Sequence, residues 1–99
     1  MTRRVSQSFH VGDLAGQCLT LTGRDAWALS ELVKAGKQGC TPIDNPGPRW
    51  SGYVHNLRRK HGLIIETVDE SHGGPFSGTH ARYILKTPVR IIDGMEVAA

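Results

Sequence analysis

The sequence predicts an α+β domain in which one short strand precedes three helices and a two-stranded hairpin follows them. Apolar residues recur three and four positions apart in two segments, prolines and glycines separate these segments, and β-branched residues are concentrated after Gly62. The chain has 99 residues, of which 38% are hydrophobic and 21% charged, and this length and balance suit one compact domain.

The N-terminal segment carries the weakest signals. Residues 1–8 are polar and basic without a regular period, so we expect a disordered arm there, which includes Arg3 and Arg4. The following residues, up to QCLTLT, predict either a loose hairpin or a single short strand at 18–21, and we favour the strand.

The expected limits of the domain follow from these signals. The patterned part of the chain, 9–87, is expected to form the folded domain. Residues 88–99 are apolar at VRII but show no regular pattern, so we expect a tail that packs back or reaches a partner chain.

The clearest helix is predicted at 23–35. Thr22 offers a capping hydroxyl, Asp25 suits the positive end of the helix, and Gly36 suits its end. Spacings of three and four residues place an apolar stripe on one side of this helix, formed by Ala26, Leu29, Leu32 and Val33.

A second helix is predicted to be very short. Thr41 can cap it and Pro42 suits its first position, but Pro46 and Pro48 prevent a longer hydrogen-bond ladder. We therefore expect about one helical turn at 42–45, followed by a tight Pro-Gly-Pro link.

The third helix is predicted at 48–61, with Gly62 in the left-handed conformation that closes helices. Positions i, i+3, i+4 and i+7 share its inner face: Trp50, Tyr53, Val54 and Leu57. Aromatic residues at this spacing are expected to pack in the core. The opposite face is centred on Gly52, His55 and Arg59.

Two strands are predicted after the third helix. The segment 63–70 is rich in β-branched residues, and ARYILKT at 81–87 has a similar composition. The glycine-rich residues 71–80 between them predict a hairpin with a large, flexible tip.

Three helices followed by a hairpin form the winged helix-turn-helix arrangement, in which the third helix can enter a major groove and the hairpin is the wing. The segment from about 22 to 86 resembles the small winged-helix domains of phages and bacterial mobile elements. The segments that carry this likeness are TGRDAWALSELVKAG, GCTPIDNP, PRWSGYVHNLRRKHGLIIETVDE and HARYIL, and LRRKHGLIIET is the most specific part. The resemblance implies DNA binding and a role in regulation or recombination.

Positive charge is concentrated in one part of the chain. Residues 49–60 contain four lysines or arginines and no acid, whereas 61–70 contain three acids and no lysine or arginine. A local cluster of this kind is expected where a protein contacts a polyanion. We predict contacts with double-stranded DNA from Arg49, Ser51, Gly52, His55, Asn56, Arg58, Arg59, Lys60, Thr79, His80 and Arg82.

Each of these residue types suits a particular contact. Arginine can pair with phosphate or with guanine, and asparagine presents the donor and acceptor that adenine requires. Ser51 can donate to a phosphate, and Gly52 lets the backbone approach the groove closely. The wing tip at 71–80 is expected on the DNA backbone or in the minor groove.

Other functions receive less support from the sequence. The five histidines and two cysteines lack the close spacing of a zinc site, GGPFSG lacks the lysine of a phosphate-binding loop, and no apolar run is long enough to span a membrane. We therefore expect a cytoplasmic protein that is not an enzyme and has no metal, no cofactor and no membrane partner.

Two alternatives to a transcriptional regulator stay open. One is a winged-helix module that binds a protein, for example a host factor, and the other is an excisionase-like recombination accessory factor. The net charge of only +3, the acids of 66–70 and the apolar tail favour a protein partner. A homodimer that uses the N-terminal segment or 89–92 is also expected, because one small module buries little surface on DNA.

Overall fold

The computed structural model describes residues 3–12, 16–45, 49–73 and 78–98. Its elements form two β-sheets and two α-helices, with a short 3₁₀ turn at Gly36–Gln38 after the first helix. In chain order they are β1 Arg3–Val11, β2 Gln17–Thr22, α1 Gly23–Ala35, α2 Trp50–His61, β3 Ile65–His72, β4 Gly78–Leu85 and β5 Val89–Ala98.

The first sheet has three antiparallel strands in the order β2-β1-β5. The central strand β1 pairs with β2 on one side and with β5 on the other, so that Phe9 lies between Leu19 and Ile91. Phe9 is completely buried and forms part of the core together with Leu21 of β2. The short strand predicted at 18–21 is therefore confirmed as β2, in a hairpin with β1.

Two sequence-based predictions about the ends of the domain need correction. The disordered arm predicted at 1–8 is wrong for residues 3–8, which belong to β1; residues 1–2 lie outside the described part. The tail predicted at 88–99 instead contributes β5, which pairs with β1. The domain is thus wider than 9–87, because its first sheet needs residues from both sides of that range.

The helix α1 begins and ends where the sequence predicted. Its inner stripe is buried at Ala26, Leu29 and Leu32, which face the first sheet and α2. Thr22 occupies the N-cap position, but its hydroxyl makes no capping hydrogen bond, contrary to the prediction.

The predicted three-helix bundle is wrong, because the described residues contain two α-helices. Thr41 does cap the residues after it: the backbone N–H of Asp44 donates to its hydroxyl at 2.9 Å, and that of Asn45 donates to its carbonyl at 2.9 Å. Residues 42–44 nevertheless form a turn rather than a helix. The Pro-Gly-Pro link at 46–48 lies outside the described residues.

The helix α2 begins at Trp50, and Gly62 ends it with φ of 65°, in the left-handed region. Its four predicted inner residues are all buried: Trp50, Tyr53, Val54 and Leu57. The expectation that both aromatic residues pack inward is confirmed. The indole N–H of Trp50 also donates to the carbonyl of Asn45 at 2.6 Å, which fixes the turn against the start of α2.

The second sheet is the β3–β4 hairpin, the wing, which docks on the core through Tyr83. The ring of Tyr83 stacks on Trp50 with centroids 6.0 Å apart and planes at 19°. Its backbone also exchanges two hydrogen bonds with Cys40, at 2.8 and 2.9 Å. Gly39 permits this contact, because a Cβ there would lie 2.5 Å from the carbonyl oxygen of Tyr83.

The bounds of the wing differ from the prediction. The strands extend further toward the tip than 63–70 and 81–87 suggested, with partners aligned from Ile65 and Leu85 up to His72 and Gly78. The large loop predicted at 71–80 is correspondingly shorter. Its residues 74–77 lie outside the described part of the chain.

Candidate nucleic-acid interface

The outward face of α2 is a basic surface. The helix and its N-cap Arg49 contain no acid, and Arg58, Arg59 and Lys60 lie in its last turn. All four of these side chains are exposed, as are three smaller predicted contacts on the same helix: Ser51, Gly52 and His55. The buried aromatic face on the other side fixes this face outward.

A shallow concavity of about 580 Å³ lies over the N-terminal half of α2. Six of its lining residues come from the start of α2 and one from α1: Arg49, Ser51, Gly52, Tyr53, His55, Asn56 and Asp25. At Gly52 an added Cβ would meet only the Cβ of Arg49, at 3.8 Å. Packing within the protein therefore does not require glycine at this position.

Asn56 is half-buried and differs from its exposed neighbours on α2. Its side-chain nitrogen Nδ2 lies 3.4 Å from Oδ1 of Asp25, at the start of α1. The predicted adenine-contacting residue is thus held by an acid that the sequence analysis did not connect with it.

The last turn of α2 contains two kinds of cation. The guanidinium of Arg58 donates to the carbonyl of Ile65 and to the hydroxyl of Thr67, the latter at 2.8 Å, so it ties the helix to the wing. Arg59 and Lys60 are exposed, and within the described residues they form no ion pair. These two are the cations of the last turn most available to a ligand.

Arg82 of the wing is the centre of a polar cluster that we call the clamp. Its other members are Glu70 and His80 of the wing, and Asp44 and the carbonyl of Gln38 before α2. Arg82 donates from Nε to Oε2 of Glu70 at 2.5 Å and from a terminal nitrogen to the carbonyl of Gln38 at 2.7 Å, while Asp44 lies 3.8 Å from its other terminal nitrogen. The imidazole Nε2 of His80 lies 3.1 Å from Oε1 of Glu70. The clamp links both wing strands to the turns before α2.

The contact between Glu70 and Arg82 changes the pKa of both groups. The hydrogen bond from Arg82 is the main cause that lowers the pKa of Glu70 below its ordinary value of 4.5; desolvation opposes this shift, and the charge of Arg82 adds to it. The same hydrogen bond raises the pKa of Arg82. Arg82 and His80 therefore sit beside a carboxylate, whereas the predicted wing contact Thr79 is exposed.

The predicted contacts accordingly fall into two groups. Seven are exposed without such a partner in the described part of the chain: Arg49, Ser51, Gly52, His55, Arg59 and Lys60 at α2, and Thr79 on the wing. The other four contact other parts of the protein through their side chains: Asn56, Arg58, His80 and Arg82. The sequence patterns did not predict that Asp25 and Glu70 contact these residues. The hairpin register could have indicated Glu70, because it places this acid opposite His80; Asp25 and Asn56 are 31 positions apart and meet only through helix packing.

The described residues show neither a metal site nor a membrane-spanning helix. In that part of the chain no group of three or more histidines, cysteines or acids is placed to hold a metal ion. Neither α1 nor α2 is long and apolar enough to cross a membrane.

A hairpin that packs beside an exposed basic helix defines a winged helix protein, a class associated in general with DNA binding. The family model described as "Winged helix domain" matches residues 18–95, which is most of the chain. The chain therefore belongs to this winged helix family. No curated protein and no solved structure matches it significantly.

Proposed function

We propose that this winged helix protein binds double-stranded DNA sequence-specifically and acts as a small transcriptional regulator of phage or mobile-element type. The observation that carries this proposal is the outward face of α2. Its cations are exposed, the helix contains no acid, and the aromatic residues on its other side are buried. An α-helix fits the major groove of B-DNA, and exposed arginines there can reach both phosphates and base edges.

Individual residues of α2 are assigned roles by their positions. Arg49 and Arg59 lie at opposite ends of the exposed face and reach phosphates or guanines, while Lys60 contacts the backbone. Ser51 and the free amides at the helix start bind a phosphate. His55 projects from the middle of the same face toward the bases, and Gly52 lets the groove edge approach the helix backbone.

The wing has a smaller role in this proposal than its charges alone suggest. Arg82 and His80 are hydrogen-bonded or ion-paired to Glu70, so a direct phosphate contact would have to replace interactions that hold the wing. Thr79 is therefore the wing residue that approaches the DNA backbone or minor groove. Arg82 chiefly sets the position of the wing, and Arg58 holds it close to the end of α2.

The working form of the protein belongs to the same proposal. We infer a cytoplasmic, non-enzymatic protein that needs no cofactor and binds repeated half-sites as a homodimer. Sedimentation equilibrium at micromolar concentration, with and without DNA, tests the dimer. A monomer under both conditions would remove that part of the proposal and leave DNA binding intact.

In vitro selection from a random duplex pool is the primary test of sequence-specific binding. We expect a defined motif to be enriched, and affinity for it should fall steeply with salt, because neutralised phosphates release counterions. Repeating the salt titration with Arg59→Ala and Asn56→Ala tests the assigned face. If neither variant changes affinity or sequence preference, α2 is not the contact surface.

One alternative function is favoured by a separate observation. Three large apolar side chains are notably exposed near the wing and the turn before α2: Ile43 at 56%, Ile64 at 66% and Val68 at 38%. Such residues are compatible with a protein partner, for example a host factor. This alternative predicts weak DNA binding without sequence preference, so the same selection experiment separates the two functions. A recombination accessory or excisionase-like factor would make the same DNA contacts. A recombination assay, rather than a binding assay, distinguishes it from a transcriptional regulator.

A further inference from the structure

We propose that Asp25 is a positioning residue that orients the amide of Asn56 and thereby makes α2 select an A·T base pair. This inference rests on the proposed function, because it presumes that α2 enters a major groove. It adds a residue of α1 to the determinants of sequence preference, although α1 is not the helix that enters the groove.

The geometry places these two side chains together at the protein surface. Asn56 lies on α2 at the edge of the exposed face, and Asp25 lies in the first turn of α1. Their Nδ2 and Oδ1 atoms are 3.4 Å apart, and both residues line the concavity over the start of α2. The contact is part-buried, which protects it partly from competition by water.

The chemistry of the pair restricts the orientation of the amide. A carboxylate oxygen can only accept hydrogen bonds, whereas an asparagine presents an oxygen acceptor and a nitrogen with two donors. Asp25 therefore favours the orientation in which Nδ2 faces it, since the reverse would place two oxygens against each other. The second N–H and Oδ1 remain available to a ligand.

One donor beside one acceptor is the pattern that adenine requires. In the major groove adenine offers the N7 acceptor and the N6 amino donor, and asparagine matches both at once. Guanine offers two acceptors instead, so an oriented asparagine discriminates against it. The 3.4 Å separation is long for a hydrogen bond, so we expect Asp25 to bias the orientation rather than to lock it.

An acid at this place also has an electrostatic consequence. A carboxylate inside a DNA-facing concavity repels phosphates, so its removal strengthens binding to DNA of any sequence. The proposal therefore predicts two effects of opposite sign when Asp25 is neutralised: tighter non-specific binding and weaker base preference. Asp25 also lies where a negative charge favours the N-terminus of α1, but that role alone would leave base preference unchanged.

The test measures binding of the selected duplex and of single base-pair variants of it, by fluorescence anisotropy at one salt concentration. The variants are Asn56→Ala, Asp25→Asn and Asp25→Glu, with Glu31→Gln as the control that removes one negative charge elsewhere on α1. Asp25→Asn nearly keeps the size of the side chain but lets residue 25 donate as well as accept, so both amide orientations of Asn56 become possible. Thermal unfolding of each variant establishes that it is folded.

Asn56→Ala should abolish the preference at one A·T pair, an effect of about fivefold or more. Asp25→Asn should reduce the preference at that same pair by about two- to tenfold, because an unrestrained side chain must be ordered on binding. It should also bind random DNA more tightly than Glu31→Gln does. Asp25→Glu keeps an acceptor-only group and should retain more of the preference than Asp25→Asn.

Different failures would have different meanings. If Asn56→Ala removes the preference but Asp25→Asn leaves it unchanged, the positioning role is wrong while the proposed function stands. If Asn56→Ala alters a G·C position instead, the adenine assignment is overturned. If the wild-type protein shows no sequence preference at all, the proposed function itself fails.

Discussion

The outward face of α2 and the wing both contain arginines, but their charges are used differently. Arg59 on α2 is exposed and forms no ion pair within the described residues, whereas Arg82 on the wing contacts Glu70, Asp44 and a backbone carbonyl. Glu66 of β3 likewise lies 3.5 Å from Lys86, just after β4. Within the described part of the chain, the arginine of the wing is thus paired, whereas Arg59 of α2 is not.

This difference shows that a count of charges does not identify a DNA-contacting surface. A cation already paired with a carboxylate would exchange one ionic partner for another on meeting a phosphate, so it gains little affinity. An exposed cation without such a partner gains the full effect of counterion release. Whether the guanidinium is already ion-paired therefore distinguishes Arg59 from Arg82 more clearly than sequence position does.

The helix α2 and the wing share one core, and the largest predicted effect tests this. Trp50 is 3% exposed and stacks on Tyr83 of β4, so Trp50→Ala should cost about 3–5 kcal/mol of unfolding free energy. Ser51→Ala is the matched control on the exposed side of α2 and should change stability by less than about 0.5 kcal/mol. Chemical denaturation measures both. Similar values for the two variants would mean that the core assignment is wrong.

The second prediction compares the two arginines directly. Arg59→Ala should weaken binding to the selected duplex by about tenfold and reduce the slope of log affinity against log salt by about 0.9, because one phosphate or base contact is lost. Arg82→Ala should change the affinity several-fold less, and its main effect should be faster amide hydrogen exchange in β4. Lys34→Ala, on the exposed end of α1, controls for net charge. An equal loss for both arginines would abolish the distinction between the two surfaces.

The third prediction concerns the pH dependence of the clamp. The folded-state pKa of Glu70 is lowered by Arg82, so the clamp stabilises the protein above the ordinary carboxyl pKa of 4.5 and loses this effect as pH falls through the lower, folded value. Wild-type protein and Glu70→Gln should therefore differ in unfolding free energy at pH 7 and converge in acid. Asp69→Asn serves as the neighbouring control. A difference that persists unchanged at the lowest pH would show that the lost hydrogen bonds, not the ionisation, matter.

The smallest effect concerns the thiols and reports whether the wing stays docked. Cys18 is exposed, whereas Cys40 is buried, and desolvation by burial, with a further contribution from Glu31, raises its pKa to about 11. At pH 8 a thiol-specific reagent should modify Cys18 readily and Cys40 only when the structure opens. Because Cys40 pairs with Tyr83, Glu70→Gln should modestly accelerate its modification. Equal reaction of both cysteines in the native protein would contradict this burial.

Local patterns in the sequence predicted the two long helices and the aromatic inner face of α2. Apolar spacing, Gly36 and Gly62 were sufficient for this, because a helix is determined mostly by residues near one another. The one-turn second helix was less predictable: Thr41 caps the segment as expected, but the prolines that follow leave too few backbone donors for a helix.

The first sheet and the partners of the site depend on contacts between distant residues. Strand β1 contains a weak alternation of apolar and polar residues around Phe9 and Val11. Its other polar residues nevertheless suggested a disordered arm, because the sequence does not show that β5 pairs with it. Likewise, the contact of Asp25 with Asn56 depends on how α1 packs against α2. A single sequence shows which residues are charged, but not which of them are ion-paired or hydrogen-bonded in the folded protein.

The pairing of β1 with β5 also has a consequence for how the domain assembles. The helices and the wing form contacts between residues that are close in the sequence. One side of β1, in contrast, has no strand partner until β5 is present, because the pairing aligns Arg3 with Ala98. A chain shortened before β5 would expose that edge to other molecules and invite aggregation. Conversely, a short linker from residue 98 to residue 3, with new ends at the wing tip, should preserve the fold as a circular permutant.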